Sequence, residues 1–307
     1  MPLERLGFFM WFWLALAALL CWSGSDLFSK IGSKPNDTHS HYKMVMAVGL
    51  VMGLHALYEI FVGGVSITFQ DFLTYLPVSC LYILSMTIGY VGLRYIELSI
   101  SSPICNSSGA LASIFCFLFL GQTMNRYMTL AVVIVCVGVI GLGIVEMRED
   151  EELREKRQQE ANVKYSKSLI AILFPIFYCL IDAVGTVADS IVLETLNENT
   201  ANVAYELTFL AVGILAFIYV VVIKKEKLTL PSEGPKFIGA LFETVGQFAY
   251  IFAISANAIA AAPVISSYCV MSVVWSRIFL KEKLSVKHYA MIFICVIGIV
   301  LLGALDA

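Results

Sequence analysis

Glu243, Gln247 and Tyr250 are spaced i, i+4 and i+7, which sets a carboxylic acid, an amide and a phenol along one face of a helix. Such a stripe can contact a polar solute or exchange a proton with it, and it can equally hold two helices together by a hydrogen bond. Asp182 follows Pro175 in a second apolar run. A proline there frees a backbone carbonyl and can kink the helix. An acid beside the kink suits either proton coupling or a permanently protonated bond to a neighbouring helix. Asp189 lies nearer the end of the same run and reads as solvated. Asp26 precedes Lys30 by four residues, the spacing of a local ion pair. With Lys30 turned out to water instead, Asp26 would face a cavity together with Trp22 and Ser25. His55 and Glu59 share that spacing, but without a third ligand they read as a helix-end pair rather than a metal site.

Trp22, Tyr82, Tyr90, Tyr178, Tyr250 and Tyr268 supply faces for stacking or cation–π contact with an aromatic, amphipathic or cationic solute. Aromatic residues in apolar runs also simply pack or anchor, as Trp11 and Trp13 do near one end of the first run. Pro103 is followed by Asn106-Ser107, and Pro263 by Ser266-Ser267-Tyr268, near the starts of two helices. These positions either expose carbonyls to a ligand or shape a tight hairpin. The substrate-binding candidates are therefore these six aromatic residues with Asn106, Ser107, Gln247 and Ser267. The proton-coupling candidates are Glu243, Asp182 and Asp26. HExxH, GxSxG and Walker patterns are absent, and no His clusters with carboxylates, so no catalytic residue, metal or cofactor is expected.

The elements that must position these groups follow from composition. Of 307 residues, 59% are hydrophobic and 14% charged, more apolar mass than a soluble domain of this size buries. The net charge of −3 is dispersed, which excludes nucleic acid as the main partner. All eight cysteines lie in apolar runs without a CxxC pair and read as small core hydrophobes. Apolar stretches predict helices over 7–31, 44–63, 72–97, 99–120 and 126–146, then 168–192, 201–223, 236–256, 258–280 and 286–305. The fold expected is all-α and integral to the membrane, with ten transmembrane helices as two inverted five-helix repeats. The units are 1–146, a charged helical linker over 147–167, and 168–307. The linker holds six acidic and six basic residues, with Asp150/Arg154, Glu152/Lys156 and Glu160/Lys164 at i, i+4, and reads as a water-exposed continuation of the fifth helix. The first run lacks a cleavage signal and is kept as a membrane helix.

A shift of 160 residues aligns the second to fifth helices with the seventh to tenth without a gap. Tyr90 falls on Tyr250, Pro103 on Pro263, Ser107 on Ser267, Gly53 on Gly213, Gly138 on Gly298 and Gly143 on Gly303. Five spans per unit is odd, so the second copy must cross the bilayer in the opposite sense. Eighteen Lys and Arg residues then collect on one side, the central linker included, against Arg5 and Arg126 on the other. The positive-inside rule makes the linker side cytoplasmic and both termini extracytoplasmic.

Several segments resemble the EamA branch of the drug/metabolite transporter superfamily, and the resemblance spans nearly the whole chain. Phe279-Leu280-Lys281-Glu282-Lys283-Leu284-Ser285 is similar to the family's LGE-basic-L-S turn, with Lys281 in place of its Gly. Phe119-Leu120-Gly121-Gln122-Thr123-Met124 is a weaker copy, with Gln122 in place of the Glu, and Cys21-Trp22-Ser23-Gly24-Ser25 followed by Lys30 resembles the family's first helix. The resemblance implies a secondary transporter in the plasma membrane, acting as an exporter of small metabolites such as amino acids or of amphipathic drug-like compounds. It also implies both termini in the cytoplasm, opposite to the charge count. The partners expected are the lipid bilayer, a small-molecule substrate and protons, with oligomeric state open. A membrane-embedded enzyme and a structural or sensory membrane protein are the competing classes; the first lacks visible machinery and the second has no use for buried acids.

Overall fold

A computed structural model describes residues 3–34, 36–121, 125–158 and 169–306. Its helices are α1 (Leu3–Gly32), α2 (Ser40–Phe61), α3 (Phe69–Gly92), α4 (Leu98–Asn106), α5 (Ser108–Phe119), α6 (Arg126–Arg148) and α7 (Glu151–Gln158), followed by α8 (Leu169–Val192), α9 (Glu198–Phe217), α10 (Leu230–Ser266), α11 (Tyr268–Trp275) and α12 (Val286–Asp306). Among the described residues there is no strand. Among the described residues, seven helical segments are long and apolar enough to cross a membrane, and two shorter apolar ones run over Tyr268–Leu280 and Val286–Leu301. Large apolar side chains such as Phe61, Phe69, Phe119 and Phe293 stand exposed on the outside, as a lipid-facing surface requires.

Local chemistry sets the helix ends. Thr68 and Asp71 form a capping box at the start of α3, and the side chains of Asn125 and Asn197 cap α6 and α9. α9 and α11 end in π-helical turns over Ile218–Ile223 and Ser276–Leu280. The turn after α5 passes through Gly121 at φ 66°, and its repeat equivalent Lys281 holds nearly the same φ, 56°. A backbone position that favours glycine is thus kept where the side chain has changed.

Two expectations are corrected. The helix predicted over 236–256 does not end before the next: α10 runs on to Ser266, 37 residues in all. Its alanines at 256, 258 and 260–262 are strong helix formers and supply no stop signal. The linker does not continue the fifth helix either. α6 stops at Arg148, Glu149 is extended at φ −69° and ψ 127°, and α7 starts afresh. Arg154 is buried rather than solvated, with its guanidinium on Glu146 and Glu149; Glu152 and Lys156 do pair, at 2.6 Å. The Glu160/Lys164 pair lies outside the described residues.

The main packing pairs are α1 with α10, α2 with α9, α3 with α8, and α6 with α12, each joining the N-terminal portion to the C-terminal one. Exchanging the two portions leaves this set of pairs unchanged. Each pair is antiparallel. Gly49 packs on Phe209 and Gly213, while Gly53 packs on Leu210; Gly138 meets Cys295, and Gly298, its equivalent, meets Val135, the equivalent of Cys295. Equivalent helices therefore face each other head to tail through glycines that let their backbones approach.

Candidate functional site

A cavity of about 720 Å³ lies between these pairs, walled by α1, α3, α4, α5, α8, α9, α10 and α11. Each helix contributes one stripe at helical spacing: Trp22, Ser25, Asp26 and Ser29 on α1; Tyr178, Asp182, Thr186 and Asp189 on α8; Glu243, Gln247 and Tyr250 on α10. α3 adds Tyr75, Tyr82, Met86 and Tyr90, the broken helix α4–α5 adds Asn106, and α11 adds Tyr268. Of the thirteen residues singled out from sequence, eleven line this one cavity.

Ser107 and Ser267 do not. They occupy the breaks between α4 and α5 and between α10 and α11, with φ/ψ of −79°/0° and −83°/5°. Each donates its hydroxyl to the carbonyl three residues earlier, Ser107 to Ile104 at 2.5 Å and Ser267 to Val264 at 2.6 Å. The repeat thus preserves a hinge-like interruption one turn after each proline. At the first break the Pro103 carbonyl accepts the Cys295 thiol at 3.6 Å.

Asp26 turns to Ser102 and Ser272, whose hydroxyls donate to it at 2.5 and 2.7 Å, rather than to Lys30. Lys30 donates to the carbonyls of Leu93 and Ile96, just past the C-terminus of α3. Asp182 accepts from Ser85 at 3.3 Å. Asp189, expected in solvent, is in the wall, where Tyr75 donates to it at 2.7 Å and Tyr82 at 3.5 Å. The aromatic wall is continuous around Trp22, whose ring centroid lies 5.2 Å from Tyr250 and 5.7 Å from Tyr268. Trp22 Nε1 and Asn106 Nδ2 are buried donors without a hydrogen-bond partner.

Tyr75, Asn202 and Tyr205, which the sequence reading did not name, also line the cavity, as does Asp189, which it placed in solvent. A signal existed for Asp189 and Tyr75. Asp189 is two turns beyond Asp182 on the same face, and Tyr75 is two turns before Tyr82. Asn202 and Tyr205 gave none, since nothing in the sequence says which face of α9 points inward.

At one end of the bundle the charges are buried and matched. Glu282, in the turn before α12, accepts the backbone N–H groups of Leu98 and Ser99 at 3.2 and 3.1 Å and the Ser99 hydroxyl at 2.8 Å. Burial pushes its carboxyl up, against the opposing pull of Lys30. An anion therefore sits on the N-terminus of α4 while the Lys30 cation sits on the C-terminus of α3, each matching the helix dipole it meets. Nearby, Lys43 pairs with Glu226 at 2.8 Å and Asp37 at 3.1 Å, and Lys236 with Glu233 at 2.7 Å. Toward the other end of α2, His55 is shared between Glu206, at 2.9 Å, and Glu59, at 3.8 Å.

Among the described residues, one trio has metal-ligand types close together: Glu146, Glu149 and His288, with ligand atoms within 4.8 Å. Arg154 pairs with both glutamates, so the trio reads as a closed ion-pair cluster fastening α7 to the base of α6 and α12.

A bundle that is all-helical among the described residues, with an apolar exterior and a polar cavity between its N- and C-terminal portions, fits a multi-pass membrane protein. The family model for EamA-like transporters matches residues 9–144 and 169–304, and the chain belongs to that family. A solved structure described only as the crystal structure of a protein is similar at TM-score 0.57 and 15% identity, with 96% of this chain and 97% of that chain covered. At that identity the likeness speaks to the fold alone. Comparison with curated proteins finds no match.

Proposed function

We propose that the chain is a secondary carrier of the plasma membrane that exports small organic metabolites, amino acids or amphipathic compounds, by alternating access between two inverted halves of five spans each. The observation that carries this reading is the 720 Å³ cavity shared by helices of both halves, with Asp26, Asp182 and Glu243 in its wall. Ionisable groups at membrane depth are expensive, roughly 2.5–3.5 kcal/mol each on insertion scales, and mark solute or proton paths. The units are residues 1–146 and 168–307, with the linker in the cytoplasm and both termini outside. Antiparallel contact between equivalent helices supports the inversion, and the paired breaks at Ser107 and Ser267 support a shared hinge. The aromatic and amide residues of the wall bind the substrate; Glu243, Asp182 and Asp26 couple its movement to protons by being protonated in one state and ionised in the other. Substrate conversion has no role in this reading.

The test is flux in proteoliposomes. Solute movement should respond to an imposed pH gradient and should fall in Glu243→Gln and Asp182→Asn. Flux indifferent to the gradient and unchanged in both variants sinks the proton coupling and leaves a facilitator.

A further inference from the structure

Four carboxyl groups line the cavity, Asp26, Asp182, Asp189 and Glu243, and among the described residues no lysine, arginine or histidine does. The hydrogen-bond partners of the three aspartates are hydroxyls: Ser102 and Ser272 on Asp26, Ser85 on Asp182, Tyr75 and Tyr82 on Asp189. A hydroxyl donates a hydrogen bond but brings no positive charge. The acidity of the wall is therefore left for a proton or a bound solute to balance, since burying an uncompensated anion costs several kcal/mol.

The second observation is aromatic. Trp22 packs against Tyr250 and Tyr268, and this group flanks two of the acids: Asp26 follows Trp22 by one turn of α1, and Glu243 precedes Tyr250 by two turns of α10. Aromatic faces attract cations through their quadrupoles and repel anions. The volume is in the range that holds a drug-sized molecule, roughly 300–1,000 Å³. An anionic solute would meet four acidic groups here, and the carboxylate of a zwitterion would find no basic side chain in the wall. We infer that the substrate is an organic cation, a protonated amine or quaternary ammonium with an aromatic or apolar body, whose nitrogen sits between Asp26 and Glu243 while the body lies against Trp22, Tyr250 and Tyr268. This rests on the carrier reading and narrows its solute range to one charge class.

The test is calorimetric titration of the full chain in detergent micelles, against empty micelles, with benzyltrimethylammonium, benzyl alcohol and benzoate. Saturable binding is expected for the cation alone. Asp26→Asn and Glu243→Gln should each weaken it by about 10- to 100-fold, the loss of a charge-assisted contact. The comparison of the three probes on the unaltered protein stands even if a variant fails to fold. Equal or tighter binding of benzoate or benzyl alcohol, or no saturable binding of the cation, overturns the inference. Counterflow of labelled leucine and of benzyltrimethylammonium in proteoliposomes separates the two readings. Leucine flux without cation binding removes the cation class and keeps the carrier, whereas flux of neither removes both.

Discussion

Gly49 on α2 meets Gly213 on α9 backbone to backbone, and a side-chain carbon at Gly49 would stand 2.5 Å from the Phe209 carbonyl oxygen and 3.0 Å from the Gly213 Cα. Neither obstacle is a flexible side-chain tip, so the helices themselves would have to part. Gly49→Ala should lower stability by about 1–3 kcal/mol, the usual range for overpacking, measured as the unfolding midpoint in detergent. Gly143→Ala is the control, because its new methyl would meet only Ile172 at an ordinary 3.7 Å. A Gly49→Ala protein as stable as the control would mean that the two equivalent helices are not in register at this contact.

Glu282 is fully enclosed and serves two backbone donors of α4 at once. Glu282→Ala leaves the Leu98 and Ser99 N–H groups unpaired and should cost about 1–3 kcal/mol. Glu282→Gln keeps a side-chain acceptor for those N–H groups, so it should cost less. The order Ala worse than Gln, read from thermal unfolding, tests the assignment; the reverse order would show that the charge, and not the acceptor, holds the bend between α3 and α4.

Much of this was legible in the sequence for physical reasons. Apolar runs fix helices because a bilayer admits little else, and constant 160-residue spacing exposes the duplication without any contact information. The stripe Glu243, Gln247, Tyr250 found the cavity because helical periodicity predicts which residues share a face. What failed was local inference about ends and partners. Asp26 and Lys30 have ion-pair spacing, yet helix termini and hydroxyls from distant segments claim them. Asp189 looked terminal by sequence, but its burial in a packed bundle is set by neighbours, here Tyr75 and Tyr82. The family turn gave the identity of Glu282 but not its task, because the N–H groups it serves are 183 and 184 residues away.

Arg154 ties α7 to the end of α6 through Glu146 and Glu149, with His288 of α12 on the far side of Glu146 at 3.1 Å. Removing one partner of a buried ion pair leaves the others uncompensated, typically a loss of about 3–5 kcal/mol locally. Arg154→Ala should therefore release α7, seen as faster tryptic cleavage at Arg148 and Lys156 with little change in the bundle's own unfolding. Arg154→Lys retains charge without the planar fork and should fall between. Unaltered cleavage kinetics in the alanine variant would show that α7 is held by other contacts.

Glu226 lies outside the spans, between α9 and α10, where hydrogen bonding to Lys43, with a further bond to His39, holds its carboxyl below the usual glutamate range. An acid held down in the folded state contributes stability above its ordinary value and loses it as pH falls through the lowered one. The Lys43 contact should therefore be intact at neutral pH and fail only on acidification below about 4.3, the unperturbed glutamate value. Unfolding midpoints followed from pH 7 downward should show a loss that Glu226→Gln flattens, since the amide cannot titrate. The magnitude should be modest, because Glu226 is partly exposed and solvent screens the pair. Salt provides the cross-check. Raising ionic strength at pH 7 should shrink the difference between the parent protein and Glu226→Gln, whereas a difference insensitive to both salt and acid would mean that Glu226 acts through packing instead of charge.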